Sequence, residues 1–207
     1  MPKYKEKPRV FLDLDQTLIS AEADDEYDSN DSNIKEKSKK FRSHNMDGYY
    51  IIFERPGLQS FLTFLFKNFI VSIWTAASKD YALFIIDKVI LNGKKNRKID
   101  WIFFSYHCDI SKNIKNGTKD LSIIWEDYNI PEYSKKNTLI LDDYDEVYKT
   151  QPSNCIPIIP FNFKDDKSEH DEYLKNLQNE MEYIIKNIEN GEKPAVGVNK
   201  KLKLLSK

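Results

Sequence analysis

The stretch Arg9-Val10-Phe11-Leu12-Asp13-Leu14-Asp15-Gln16-Thr17-Leu18 decides the fold. Val10 to Leu12 form an apolar run with no polar alternation, which suits a central strand of a parallel sheet covered on both faces. The run ends abruptly in Asp13 and Asp15, two carboxylates one residue apart, with the Thr17 hydroxyl close behind. A strand repeats every two residues, so both carboxylates lean to one side if the extended path continues briefly. Crowded carboxylates repel, and the pair calls for a cation or a shared proton. Hard oxygen ligands with open positions suit Mg²⁺, which keeps waters and works beside phosphate groups. Open α/β sheets also bind ligands just outside the carboxyl ends of their strands, where Asp13 would sit. A plain turn explains the same residues without any chemistry, because aspartate is common in turns. The rest of the chain has to choose.

Working outward, Phe69 to Trp74, Trp101 to Ser105, Thr138 to Leu141 and Ile156 to Ile159 read as further buried strands, and Tyr49 to Glu54 as a β-branched and aromatic strand. Arg55-Pro56-Gly57 opens a helix through Leu58, Phe61, Leu62 and Leu65, with the proline where a first turn tolerates it. Ser78 can cap a second helix, whose broad apolar face from Tyr81 to Ile90 ends at Gly93. A short helix passes through Ile124 and Trp125. A last one is expected from Ser168, with Asp171 as its capping-box partner and Leu174, Leu177, Met181 and Ile184 on one face. Strands alternating with helices imply right-handed β-α-β units, hence an α/β fold with a parallel, Rossmann-like sheet and helices on both faces.

Two stretches do not fit that alternation. Glu22 to Asp31 is acidic, Lys35 to Arg42 is basic, and few apolar residues stand between Ile19 and Tyr49. The segment at about 20–48 is therefore expected to be a mobile, solvated insertion. Residues 106–118 are polar and read as irregular. The expected organisation is an N-terminal extension at 1–8, a single domain at 9–190 and a basic tail at 191–207.

Composition narrows the partners. At 207 residues the chain can bury one sizeable core. Its 40% hydrophobic content argues against wholesale disorder, and a formal net charge of -1 argues against direct nucleic-acid binding. No run approaches the roughly 18–20 apolar residues of a membrane helix, and the first residues lack the apolar core of a secretory signal. Cys108 and Cys155 are far apart and follow no metal or disulfide spacing. A soluble, intracellular chain, nuclear or cytoplasmic and monomeric, is the expectation.

Several predicted strands end in polar chemistry: Asp13 with Asp15, Thr75, and Asp142 with Asp143. Lys119 opens the helix before the last of them. Parallel strands put their carboxyl ends on one side, so these residues can converge. Taken singly, Thr75 reads as a helix-cap neighbour, Lys119 as a surface lysine, and Asp142-Asp143 as either a turn or a metal site.

Together they resemble the haloacid dehalogenase superfamily and, within it, the RNA polymerase II C-terminal-domain phosphatase family, the FCP/SCP or NLI-interacting-factor-like branch. The likeness is carried by Asp13-Leu14-Asp15-Gln16-Thr17-Leu18, Arg55-Pro56-Gly57, Trp74-Thr75-Ala76-Ala77-Ser78, Lys119-Asp120-Leu121 and Leu141-Asp142-Asp143, in the family's order, over about Arg9 to Ile185. The resemblance implies that Asp13 attacks phosphorus and forms an aspartyl phosphate, while Asp15 is the general acid and base. It implies Mg²⁺ held by Asp13, Asp15 through its backbone carbonyl, and Asp142. Thr75 and Lys119 would hold the phosphoryl oxygens, and Asp143 would support the metal shell or orient Lys119. Arg55 reads as structural, pairing with a carboxylate at the core edge.

Neither segment that could cover the site is large enough for a cored cap domain. An uncovered site favours a phosphate presented by a macromolecule, and the resemblance implies that this is phosphoserine or phosphothreonine on a protein or peptide, with the polymerase tail as the leading candidate. The alternatives are a small-molecule or nucleic-acid-end phosphatase, and a binding module of the same fold without turnover. Gln16 stands where relatives have glutamate, Asp143 where the small phosphatases have asparagine, and an arginine-rich stretch before Lys119 is missing. Lysine does not reproduce bidentate arginine recognition.

Overall fold

The structure, a computed structural model, describes residues 7–27 and 31–195. The first six residues of the expected N-terminal extension, and the basic tail from residue 196, lie outside the described residues. In chain order the elements are β1 (Arg9–Leu12), β2 (Ile19–Ala23), α1 (Ser32–Ser38), β3 (Ser43–Met46), β4 (Tyr50–Glu54), α2 (Leu58–Asn68), β5 (Ile70–Trp74) and α3 (Lys79–Ile85), which runs on as a π-helical stretch over Ile86–Leu91. There follow β6 (Ile99–Phe103), α4 (Ser105–Lys115), α5 (Ser122–Glu126), β7 (Thr138–Asp142), α6 (Asp145–Thr150), β8 (Cys155–Pro157) and α7 (Tyr173–Glu189).

Five strands form a parallel sheet in the order β6-β5-β1-β7-β8, with β1 in the middle. Alternate residues of each inner strand enter different cores, as a sheet covered on both sides requires. Val10, Leu12, Val71, Ile73, Leu139 and Leu141 pack with the apolar faces of α2, α3 and α7. Phe11, Trp74 and Ile140 pack on the other side, with residues of α4, α5 and α6. Leu12 lies opposite Ile73 on one flank and Leu141 on the other. That register brings the carboxyl ends of β1, β5 and β7 level, and it is what assembles the site.

The charged segment at about 20–48 is more built than its composition suggests. It supplies β2 and β3, which pair antiparallel with β4 in a separate sheet of order β2-β4-β3, and the helix α1. Asp31 caps α1 by accepting from the N–H groups of Asn33 and Ile34. Most of the apolar partners come from outside the segment: Phe41 packs with Phe53, Phe161 and Phe163, and Phe53 stacks on Phe163 at 3.9 Å between ring centroids. Lys40 pairs with Glu169, and Lys37 donates to the backbone of Lys164 and Asp165. The insertion is thus strapped to a distant part of the chain, and it makes a small sheet rather than a large cap.

Two other expectations change. Residues 106–118 are helical over most of their length in α4, whose buried residues are only Cys108 and Ser111; so narrow a stripe leaves little apolar period to read. Ser168 begins a short 3₁₀ turn, not α7, and its hydroxyl donates to the Phe163 carbonyl at 2.6 Å. Asp171 does not close a capping box. Its Oδ1 accepts from the Tyr173 N–H, and its Oδ2 accepts from Nε and Nη2 of Arg55 at 3.1 and 2.9 Å. Arg55, 1% exposed, also donates through Nη1 to the carbonyls of Thr17 and Ile159 and lies between the rings of Phe161 and Tyr173. It ties the loop after β1 to the entry of α7. Among the described residues, no helix is long and apolar enough to cross a membrane.

Phe53 is fully buried in the insertion core whereas Tyr49, one residue before β4, is 70% exposed. In urea unfolding Phe53→Ala should cost about 3–5 kcal/mol, and Tyr49→Ala should stay within about 0.5 kcal/mol of wild type. Equal, small effects at both positions would mean that the insertion does not pack as described.

Candidate active site

β1 stops at Leu12, and the Asp13 N–H makes one further ladder bond to the Leu141 carbonyl at 3.0 Å. The extended path then ends. The chain turns over Leu14–Ile19, with Gln16 at a left-handed φ of 56° and the N–H groups of Leu18 and Ile19 returning to the Leu14 carbonyl. Asp13 and Asp15 therefore take different partners instead of lying side by side along a strand.

Asp13 faces Lys119. The Lys119 ammonium, 3% exposed, donates to Asp13 Oδ1 at 2.6 Å and to Asp142 Oδ2 at 2.7 Å. The Thr17 hydroxyl lies 3.3 Å from Asp13 Oδ2 and 3.1 Å from Asp143 Oδ1; having one proton, it donates to one of them at a time. Asp142 spends its other oxygen on the Tyr144 N–H at 2.9 Å. Asp15 instead accepts from the Tyr81 hydroxyl in the first turn of α3. Ser78 caps that helix through the Tyr81 N–H, as its position suggests. Thr75, buried at the end of β5, donates its N–H to the Phe103 carbonyl and accepts from the Ala77 N–H through its hydroxyl.

One ammonium and four carboxylates share the site, and burial together with neighbouring negative charge disfavours the ionised forms of Asp15, Asp142 and Asp143. Burial, opposed by the Tyr81 hydrogen bond and reinforced by the Asp13 charge, raises Asp15 to about 6. Burial and then Asp13 raise Asp143 to about 6. Burial and Asp13 also raise Asp142, against the pull of Lys119. Burial works against a charged Lys119, but Asp13 and Asp142 outweigh it and hold the ammonium above its ordinary range. Lys119 is thus a fixed positive charge that leaves net negative charge beside it.

A cation fits that remainder. Carboxylate oxygens of Asp13, Asp142 and Asp143 lie within 4.8 Å of one another, and an all-oxygen set of this kind suits Mg²⁺. Asp143 joins the carboxylates of Asp13 and Asp142 in this trio, while the Asp15 carboxylate is engaged by Tyr81. Beside Asp15 opens a pocket of about 350 Å³ lined by Asp15, Ala21, Tyr50, Ala77, Ser78 and Tyr81. Tyr50 meets Tyr81 edge to face at 5.2 Å, so the insertion sheet forms one wall of the approach.

The sequence-predicted residues Asp13, Lys119, Asp142 and Asp143 are in one connected cluster, with Asp15 one hydrogen bond away from Tyr81 and Thr75 at the neighbouring strand end. Sequence reasoning missed Tyr81, taken as part of an apolar helix face. The available signal was its place in the first turn, from which a side chain leans back toward the helix start.

The fold and the family match together place the chain among the α/β phosphatases of the haloacid dehalogenase superfamily. The chain belongs to the NLI interacting factor-like phosphatase family, whose model matches residues 8–191. It is 44% identical over 172 residues to the CTD phosphatase-like protein 355R of Invertebrate iridescent virus 6, covering 82% of this chain and 94% of that protein. To the protein of the same description from Invertebrate iridescent virus 3 it is 39% identical over 181 residues, covering 85% and 96%. A solved structure of the fission yeast RNA polymerase II CTD phosphatase Fcp1, bound to beryllium fluoride, is similar in fold with a TM-score of 0.52 at 20% identity, over 97% of this chain and 56% of that one.

The raised carboxyls carry a pH signature. Asp15 and Asp143 titrate near 6 in the folded chain against an ordinary 3.8, so between those values the folded chain binds more protons than the unfolded one. Their contribution is then present at low pH and lost as pH rises through about 6. Thermal scans with chelator and with excess Mg²⁺ should differ most near about pH 7.5 and converge toward about pH 5, where protons do the work of the cation. A difference that does not shrink on acidification would contradict the reading of the cluster.

Proposed function

We propose that this chain is a Mg²⁺-dependent phosphoserine/phosphothreonine protein phosphatase acting through an aspartyl phosphate on Asp13. The observation that carries the proposal is the buried Asp13–Lys119–Asp142 cluster at the level carboxyl ends of β1 and β7. Asp13, the backbone carbonyl of Asp15 and Asp142, with Asp143 alongside, would hold Mg²⁺, which supplies the charge neutralisation that lets an anionic carboxylate approach an anionic phosphate.

The chain's own residues do the rest. Lys119, already charged and desolvated, binds a phosphoryl oxygen beside Asp13. The Thr75 hydroxyl accepts from the Ala77 N–H, so its own proton is free for a second phosphoryl oxygen. An Asp13 oxygen bonds to phosphorus as the ester oxygen leaves, and Asp15 gives that oxygen its proton. With a pKa near 6, Asp15 holds that proton at mildly acidic pH; once deprotonated, it takes one from the water that attacks the aspartyl phosphate, releasing inorganic phosphate and restoring Asp13. Tyr81 keeps the Asp15 carboxylate aimed through both steps.

Support for a protein substrate comes from the open approach beside Asp15 and from relatives described as CTD phosphatase-like. The phosphorylated C-terminal domain of RNA polymerase II is the specific candidate, with residues 9–190 as the catalytic unit, acting as a monomer. Phosphate release should be measured from an aryl phosphate and from a phosphoserine peptide, with Mg²⁺ or chelator, for wild type and Asp13→Asn. Turnover should require Mg²⁺, favour the peptide, and fall at least roughly 10³-fold in the variant. A folded wild type without release on either substrate would sink the enzyme reading; faster turnover of sugar or nucleotide phosphates than of phosphopeptides would sink the substrate reading.

A further inference from the structure

Lys119 reaches the site from a backbone that an L-residue rarely adopts. Its φ is +55°, in the left-handed region where Cβ crowds the next carbonyl. The segment around it, Gly117–Leu121, connects α4 to α5 and has no strand partner of its own. Two side chains from different elements take up the backbone groups this path leaves over.

From just beyond α6, the Gln151 carboxamide spans the Lys119 turn. Its Nε2 donates to the Lys119 carbonyl at 2.7 Å, and its Oε1 accepts from the Leu121 N–H at 3.0 Å. Donor meets carbonyl and acceptor meets N–H, so the partners themselves fix which way the amide points. The Gln151 backbone is held in turn, its carbonyl accepting from the N–H groups of Asn154 and Cys155 at the start of β8. From α4, the buried Ser111 hydroxyl donates to the Gly117 carbonyl at 2.6 Å and accepts from the Asp120 N–H at 2.9 Å. Gln151 borders a pocket of about 250 Å³ with Asp120, Ser122 and Thr150.

We infer that Gln151 is a positioning residue for Lys119: its carboxamide fixes the left-handed turn from which the ammonium reaches Asp13 and Asp142. Gln151 bonds to none of the four site carboxylates and acts only through Lys119. It also couples two parts of the site, because α6 follows directly on the Asp142-Asp143 turn. The catalytic consequence rests on the phosphatase proposal; the positioning itself does not.

The test uses the full chain and three variants. Gln151→Met keeps the length and removes both bonds. Gln151→Glu keeps the acceptor for Leu121 and sets an oxygen against the Lys119 carbonyl. Ser111→Ala removes the other arm and serves if a Gln151 variant does not fold. The first readout is independent of turnover: competitive acetylation by acetic anhydride, with each lysine quantified by mass spectrometry. Lys119 should react far more slowly than exposed lysines in wild type and roughly fivefold or more faster in the Gln151 variants, with the exposed lysines unchanged. The second is a double-mutant cycle on an aryl phosphate. Gln151→Met should lower kcat/KM by about tenfold in wild type and by less than about twofold in a Lys119→Ala background. A lowered melting temperature with unchanged Lys119 labelling would overturn the inference, leaving Gln151 a merely structural residue. So would an equal loss of kcat/KM with and without Lys119. Were wild type to show no turnover, the phosphatase proposal would fail while the labelling still decided the positioning.

Discussion

The Lys119 ammonium sits between Asp13 and Asp142 with almost no access to water, 2.6 and 2.7 Å from their oxygens. A charge in that position is costly unless its partners are held in place, and removing one partner leaves another buried and unpaired. Much of the fold can be read as the means of holding them. The register of β1 against β7 puts Asp13 and Asp142 level. Asp13 follows the last residue of β1 and Asp142 is the last of β7, and the loop before α5 brings Lys119 to both. Such a cluster gains little as a stability device, but it gives an anionic substrate a fixed positive charge beside a carboxylate with spare lone pairs.

The surroundings distribute the rest of the work. Arg55, bound to Asp171 and to the Thr17 carbonyl, fixes the back of the loop that carries Asp15. The same loop is pinned where the Phe161 N–H donates to the Gln16 carbonyl, so the turn after β1 is held from two directions. The insertion sheet contributes no side chain to the charged cluster; it contributes Tyr50, which meets Tyr81 at the pocket beside Asp15. Charge chemistry and access are thus built from different parts of the chain.

How far the sequence could be read follows from where each contact originates. β1, β5 and β7 were legible because their buried residues are consecutive and mostly apolar, with Ser72 an exception, and the aspartates of the site stood out because they terminate two of those runs. Tyr50–Glu54 was legible as a strand but not as a member of a second sheet, since its partners β2 and β3 lie in a segment dominated by charge. That segment looked unfoldable because the count stopped at its own residues, while Phe53, Phe161 and Phe163 complete its core. Asp171 looked like a cap because of its spacing from Ser168; in space its carboxylate belongs to Arg55 and Tyr173. Tyr81 left one signal, its place in the first turn of a helix; Gln151 left none, because it acts through a direction fixed by the path of a loop, which residue type and spacing do not encode.

The proposed mechanism requires that Asp13 become covalently phosphorylated. The most direct measurement is to quench the wild-type enzyme within the first turnover of a phosphoserine peptide, reduce acyl phosphates with borohydride, and locate the modified residue by tandem mass spectrometry. Reduction is expected at Asp13 and at no other carboxylate, and none in protein quenched before substrate is added. Release of phosphate with Asp13 unmodified at every quench time, or modification at Asp15, Asp142 or Asp143 instead, would contradict it.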